Sequence, residues 1–217
     1  MNKFIDFTKQ VFRGKSISRI LFNWQVAKHC QNLKGKCVDL GSGRNPSYSG
    51  YWSFAQGAKL IRSDVDIDKN TDLIIDLNKP LPLTDNSVDN IFLFNAIYII
   101  RKPEELLKEI QRVLKNQGQL FMASPYISNE MREPDDFRRL TSQGLEDLML
   151  KSGFSDFQII PFGERASAGV HLWHPYFLFN FIRFFAFSKG LLLDRLLPKK
   201  IKRLYPCPLG YFIIAKK

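Results

Sequence analysis

The chain has 217 residues, 45% hydrophobic and 24% charged, so it carries enough apolar material for a sizeable core and is not disordered, collagen-like or coiled coil. Its three cysteines form no CxxC pair and no Cys/His cluster, which argues against a disulfide scaffold and a structural zinc site and for a reducing compartment. The net charge is +11, and it is uneven: from Ile160 to Lys217 ten Lys/Arg stand against two acids, Glu164 and Asp194, a net +8.

The residues up to Ser16 have scattered charges and no apolar stretch, so no secretory signal is expected. No run of 18 residues is free of charge, and no spanning helix is expected either. These features point to a cytoplasmic chain, free or attached to a membrane surface.

Residues 17–33 have helical spacing of Ile17, Ile20, Leu21 and Trp24, with Lys34-Gly35 as the stop. Lys36–Leu40 reads as a strand running into Gly41-Ser42-Gly43-Arg44-Asn45-Pro46. Asn45 and Pro46 form an N-cap and first-turn pair that predicts a helix to about Gly57. Strands follow at 59–65 and 72–77, the first leading into Asp64, Asp66 and Asp68. A strand at 88–94 is apolar on both faces. Residues 103–114 form an amphipathic helix with Pro103 and two acids at its start, closed by Gly118. A strand at 119–124, a helix at 142–151 capped by Thr141, and strands at 157–161 and 210–215 complete the reading. The alternation predicts an α/β fold, a mostly parallel sheet with helices on both faces and its ligand site at the carboxyl ends of the strands.

A strand followed by Gly-x-Gly allows a sharp turn at Gly41 and close approach of a ligand to Gly43. A dinucleotide fingerprint would need a third glycine where Pro46 stands, which disfavours a nicotinamide-dependent oxidoreductase. The stretch Val38-Asp39-Leu40-Gly41-Ser42-Gly43 instead resembles the first motif of class I S-adenosylmethionine-dependent methyltransferases of the type 11-like kind, with Asn45 in place of the last glycine. The resemblance runs from about Lys34 to Ile160. It includes the helix PEELLKEIQRVL and the turn Pro134-Asp135-Asp136-Phe137-Arg138-Arg139-Leu140-Thr141.

The resemblance implies a Rossmann-like, seven-stranded sheet with an antiparallel last strand, and S-adenosyl-L-methionine as cofactor. It implies cofactor contacts from Asp39, Gly41, Ser42 and Gly43. The ribose acid would be Asp66, with Asp64 as the alternate. Asp76 would take the adenine amino group, with Leu77 beside it, and Asn95 would complete the set. It also implies one domain over 1–217: an N-terminal helical lid at 1–33, a cofactor-binding core at 34–160, a basic aromatic insert at 161–209 and a closing strand at 210–217.

The chain departs from the family after the fourth strand, where Asn95 to Ile100 lack the acid and histidine of many relatives. Candidates for a catalytic group are Asp136, Tyr126 and His171. Asp136 and Arg139 are also spaced to form a structural ion pair. No metal site is expected, since His171 and His174 lack a third ligand. The reaction expected is in-line methyl transfer to a small-molecule or lipid- or sugar-type acceptor, the alternative being a methyltransferase-like binding module without turnover.

His171 to Phe187 holds eight aromatic residues. Docking on an anionic membrane, nucleic-acid binding, and a core helix or oligomer interface with a solvated basic flank all fit that segment. Nucleic acid is the least favoured of the three, and as a lid the segment suits an amphipathic or anionic substrate.

Overall fold

The computed structural model describes residues 2–43, 45–66, 71–132 and 135–217. Arg44, Asp68 and Pro134, members of the motifs above, lie outside the described residues. A seven-stranded sheet has the order β3-β2-β1-β4-β5-β7-β6. Its strands are β1 (Lys36–Leu40), β2 (Lys59–Asp64), β3 (Leu73–Ile74), β4 (Val88–Phe94), β5 (Leu114–Pro125), β6 (Asp156–Phe162) and β7 (Gly210–Lys216). Pairing is parallel from β3 through β5, and β7 runs antiparallel between β5 and β6. The chain winds from β1 outward to β3 and returns on the other side at β4. The carboxyl ends of β1 and β4 therefore border the crevice left by that reversal.

Around the sheet lie α1 (Lys3–Phe12), α2 (Ile17–His29), α3 (Pro103–Val113), α4 (Ser142–Lys151), α5 (Arg165–Leu172), α6 (Asn180–Leu196) and α7 (Lys199–Leu204). Each strand residue faces opposite to the next, and β4 uses this to serve two different layers. Ile91 and Leu93 join an aliphatic layer with Leu107 and Ile110 of α3 and Met149 of α4. Phe92 and Phe94 join an aromatic layer with Phe22 of α2, Trp52 and Phe212. Phe22 and Phe94 meet edge-on at 5.2 Å between ring centroids, and Phe92 stacks on Phe121 at 5.5 Å. Much of the phenylalanine content is thus core.

Three local expectations are corrected. The residues after Pro46 form no helix; they make i to i+3 turns, with the Ser49 amide on the Pro46 carbonyl (3.1 Å) and that of Tyr51 on Tyr48 (2.9 Å). Burial of Tyr48 and Trp52 in the aromatic layer outweighs the local start signal, in a stretch whose Tyr, Ser, Gly and Trp are modest helix formers. The helix starting at Ile17 ends at His29, short of Lys34-Gly35. Gly35 instead makes room for Asp89: a Cβ there would lie 2.3 Å from the carboxylate that accepts from the Lys36 amide at 2.8 Å. Gly118 does not close α3, which passes directly into β5 at Leu114; it lies inside the strand, where a Cβ would press on the Lys115 carbonyl at 2.8 Å.

Among the described residues no helix is long and apolar enough to cross a membrane.

Candidate functional site

Two cavities meet at the ends of β1 and β4 and share Gly41, Gly43 and Asn95. One, of about 390 Å³, lies toward β2 and β3, between Asp64, Asp76 and Asp135 and the apolar Ile75, Leu77 and Ile99. The other, of about 460 Å³, lies under the first turn of α2. Its walls include Lys15, Arg19, Tyr48, Tyr98 and His171, and no Asp or Glu among the described residues. The two halves therefore differ in sign: acids line the first and cations the second.

The shared floor follows from backbone conformation. Gly41 and Gly43 have φ of +67° and +66°, the left-handed region that glycine enters without strain. A Cβ on Gly43 would meet nothing within 4 Å, so the backbone borders open space that a ligand can approach. Asn95 takes φ +52° at the end of β4 and is anchored by its amide to the Ala123 carbonyl at 2.9 Å. Ser42 lines the second cavity, its amide held by the Ser63 carbonyl at 2.9 Å.

Of the two candidate ribose acids, Asp64 ends β2 and lines the first cavity; Asp66 is not among the residues that line it. Oδ2 of Asp64 accepts from the Gly43 amide at 2.9 Å and Oδ1 from the Asp66 amide at 3.3 Å. Asp76 and Leu77 line the same cavity. The Asp76 carboxylate accepts from the Asn78 amide at 3.0 Å and pairs with Lys79 at 3.3 Å, and these contacts hold its pKa below the ordinary carboxylate range.

Asp39 lines neither cavity. It is fully buried behind the glycine turn, where the Tyr48 hydroxyl donates to its carboxylate at 3.0 and 3.1 Å. Burial pushes its pKa up to about 7, against the Tyr48 hydrogen bond and the charge of Arg62.

The catalytic candidates separate in space. The Arg139 guanidinium grips the Asp136 carboxylate as a fork, with Nη2 to Oδ2 at 2.7 Å, and the Met131 amide donates to Oδ2 at 2.8 Å. This lowers the carboxyl's pKa, and Asp136 lines neither cavity. The same fork sets Arg139 over the Tyr98 ring at 5.3 Å, while the Phe137 amide holds the Tyr98 carbonyl at 3.0 Å, so the turn braces a cavity wall. Tyr126 packs beside Tyr211 at 5.8 Å and is not among the lining residues.

His171, at the end of α5, does line the second cavity. Burial, then the nearby His174, lowers its pKa, so its ring is neutral at pH 7; its Nδ1 has no hydrogen-bond partner among the described residues. Among the described residues no group of three or more His, Cys, Asp or Glu could hold a metal ion.

Lys15, Arg19 and Tyr98 were not singled out by sequence reasoning. Ser16 caps α2 by accepting from the Arg19 amide at 3.3 Å, which places Lys15 and Arg19 at the helix start over the strand ends. Solvent reaches the Arg19 side chain through the cavity, but the surrounding protein withholds enough water to lower its pKa, with Tyr48 and Tyr98 opposing; an arginine remains charged.

Comparison with known proteins follows the same lines. The methyltransferase domain family matches residues 53–122. A S-adenosylmethionine-dependent methyltransferase of Archaeoglobus fulgidus superposes with TM-score 0.58 at 17% identity, covering 96% of this chain and 97% of that one. A S-adenosylmethionine-dependent methyltransferase of Thermotoga maritima gives TM-score 0.57 at 16% identity over 99% of both chains. Phosphoethanolamine N-methyltransferase 2 of Haemonchus contortus, in complex with S-adenosyl-L-methionine, gives 0.58 at 13% identity, covering 90% of this chain and 51% of that one. No curated protein matches.

The strand order with its antiparallel β7, and these superpositions, define the class I methyltransferase fold. The match of residues 53–122 to the methyltransferase domain family agrees with that fold, and the cofactor this likeness implies is S-adenosylmethionine. The donor set suits that group: a bare glycine turn, a carboxylate at the end of β2 for ribose hydroxyls, and a half-apolar cleft with Asp76 for an adenine.

Proposed function

We propose that the chain transfers a methyl group from S-adenosylmethionine to a small-molecule, lipid- or sugar-type acceptor that carries an anionic group. The observation behind this reading is the second cavity, which adjoins the first through Gly41, Gly43 and Asn95 and is lined by Lys15, Arg19 and His171 with no acid among the described residues. When bound, the cofactor supplies an electrophilic methyl group on a sulfonium, so the protein's task is to position and to manage one proton.

In this reading Asp64 accepts from the ribose hydroxyls, Asp76 from the adenine amino group, and the Gly41–Gly43 backbone borders the cofactor at the joint between the cavities. Arg19 and Lys15 hold the acceptor's anionic group at the start of α2, where the free helix amides add to the attraction. The neutral imidazole of His171 takes the proton that an acceptor hydroxyl or amine loses on attack. Asp136 and Tyr126 act on the scaffold and not on the substrate.

Thermal unfolding with S-adenosylhomocysteine, with NAD as control, tests the cofactor half. A ligand at about 100 times its Kd adds roughly 2.7 kcal/mol to stability, so a shift with S-adenosylhomocysteine alone is expected. Labelled methyl transfer to paired phosphorylated and dephosphorylated, or carboxylated and esterified, acceptors tests the other half. Equal turnover of both members would overturn the anionic assignment.

A further inference from the structure

We propose that one face of the molecule, formed by α1, the turn after α5 and α6, docks on an anionic lipid bilayer. The face is continuous. The Phe184 ring lies 6.3 Å from Phe4 and 5.6 Å from Phe7, and Asn180 Nδ2 donates to the Phe12 carbonyl at 3.2 Å, which ties α6 to α1. Large apolar side chains stand out of it: Phe4 and Ile5 on α1 are 70% and 63% exposed, and Phe181 and Phe185 on α6 are 57% and 70% exposed. Between them the turn carries Tyr176 and Leu178, and farther along α6 come Leu192 and Leu196, all exposed. Phe181, Phe185, Leu192 and Leu196 fall on one side of the helix at i, i+4, i+11 and i+15, opposite the buried Phe187, Gly190 and Asp194. Isolated exposed apolar residues need no explanation, but a patch of this extent does.

The acids of these helices and of the cap of α5 are turned inward, so the charges that α1 and α6 expose are cationic. Asp6 of α1 accepts from Tyr51 Oη at 2.7 Å, Trp24 Nε1 at 2.8 Å and Gln10 Nε2 at 2.7 Å. Asp194 of α6 accepts from the amides of Glu164, Ala166 and Ser167 at 2.8 to 3.2 Å. Glu164 accepts from the amides of Arg165 and Cys207, each at 3.0 Å. These two are the only acids in the sequence from Ile160 onward. Lys189 and Arg195 on α6, Lys199, Lys200 and Arg203 on α7, and Lys9 on α1 are exposed.

An apolar face whose own helices expose cations and turn their acids inward fits an anionic bilayer, with rings and aliphatic chains among the upper acyl chains and the basic stems reaching back to phosphates. Charge argues against a second copy of the chain as the occupant, since a two-fold interface would set one basic rim against another. Aliphatic Ile5, Leu178, Leu192 and Leu196 argue against nucleic acid, because they offer no stacking plane. The patch also begins at the site: His171 lines the second cavity, and the next residues, Leu172 and Trp173, are already exposed.

Co-sedimentation with phosphatidylcholine vesicles, with and without about one third phosphatidylglycerol, tests the proposal. The expected result is binding to the anionic vesicles, weakened by salt. The double variant Phe181→Ser/Phe185→Ser should bind at least about tenfold more weakly, and Lys199→Glu/Lys200→Glu should lose the preference for anionic lipid. S-adenosylhomocysteine binding and circular dichroism serve as fold controls; vesicle binding without cofactor binding would overturn the methyltransferase reading and leave the docking surface standing. Absence of binding to anionic vesicles, unchanged binding by Phe181→Ser/Phe185→Ser, or a wild-type dimer that this variant converts to monomer would each overturn the proposal.

Discussion

The amide of Gly43 donates to Oδ2 of Asp64 at 2.9 Å, joining the glycine turn after β1 to the end of β2. The contact makes one carboxylate do two things: it fixes the backbone that borders both cavities, and it lines the first of them. Asp64→Ala should therefore weaken S-adenosylhomocysteine binding by about 1–3 kcal/mol, the range for leaving a buried polar partner unsatisfied. Asp66→Ala should cost less. Isothermal titration calorimetry on both variants checks the order, and the reverse order would return the ribose role to Asp66.

Arg19→Ala should raise the KM for an anionic acceptor about tenfold or more, the scale of one lost charge-assisted hydrogen bond, with S-adenosylhomocysteine affinity unchanged. Lys15→Ala should act in the same direction and less strongly, since an ammonium lacks the planar fork. A loss confined to cofactor affinity would instead place the guanidinium on the cofactor's own carboxylate.

His171 has a pKa held below the ordinary histidine value by burial and by His174. Its neutral form therefore persists at lower pH than that of a free histidine. For an acceptor that must lose a proton, the rate should be level at neutral pH and fall only on an acid limb below the usual histidine range. His171→Ala should lose that limb and about a hundredfold in kcat. An unchanged pH profile in the variant would remove His171 from the chemistry.

Asp39 gives a stability prediction independent of turnover. Its folded pKa is raised to about 7, above that of an unfolded aspartate. The unfolded chain thus releases this proton first, and the group's contribution to stability, complete below about pH 4, is lost as pH rises toward 7. Asp39→Asn should abolish this dependence. Between about pH 4 and 7 the stability of the variant should rise relative to wild type by an amount on the order of a few kcal/mol. Urea unfolding at several pH values checks it, and parallel curves would show that Asp39 is ionised in the fold.

The Asp136–Arg139 fork predicts a split of effects. Arg139→Ala should free the turn that braces Tyr98, lowering stability, and should touch cofactor affinity only through the adjoining Asp135, because neither Asp136 nor Arg139 lines a cavity. Thermal unfolding measured beside S-adenosylhomocysteine binding separates the two.

The sequence by itself determined what short-range chemistry can determine. The bounds of β1, β4 and α4 follow from apolar runs and caps within a few residues, and Gly41 and Gly43 announce a backbone that side chains would strain. The helix expected from Asn45-Pro46 does not form because Tyr48 and Trp52 are claimed by an aromatic layer built from distant strands, and burial in such a layer outweighs a local cap. Likewise, nothing local says whether a charged residue faces water. Asp136 was legible as a partner of Arg139 from spacing alone, whereas the gathering of Lys15, Arg19 and His171 around one cavity joins the start of α2 to α5 across most of the chain. The inward turn of Asp6, Glu164 and Asp194, which leaves a face of rings and cations, depends on amides and side chains that only the packed helices bring within hydrogen-bond reach. Composition set the sign of the charge; tertiary contacts decided which surface carries it.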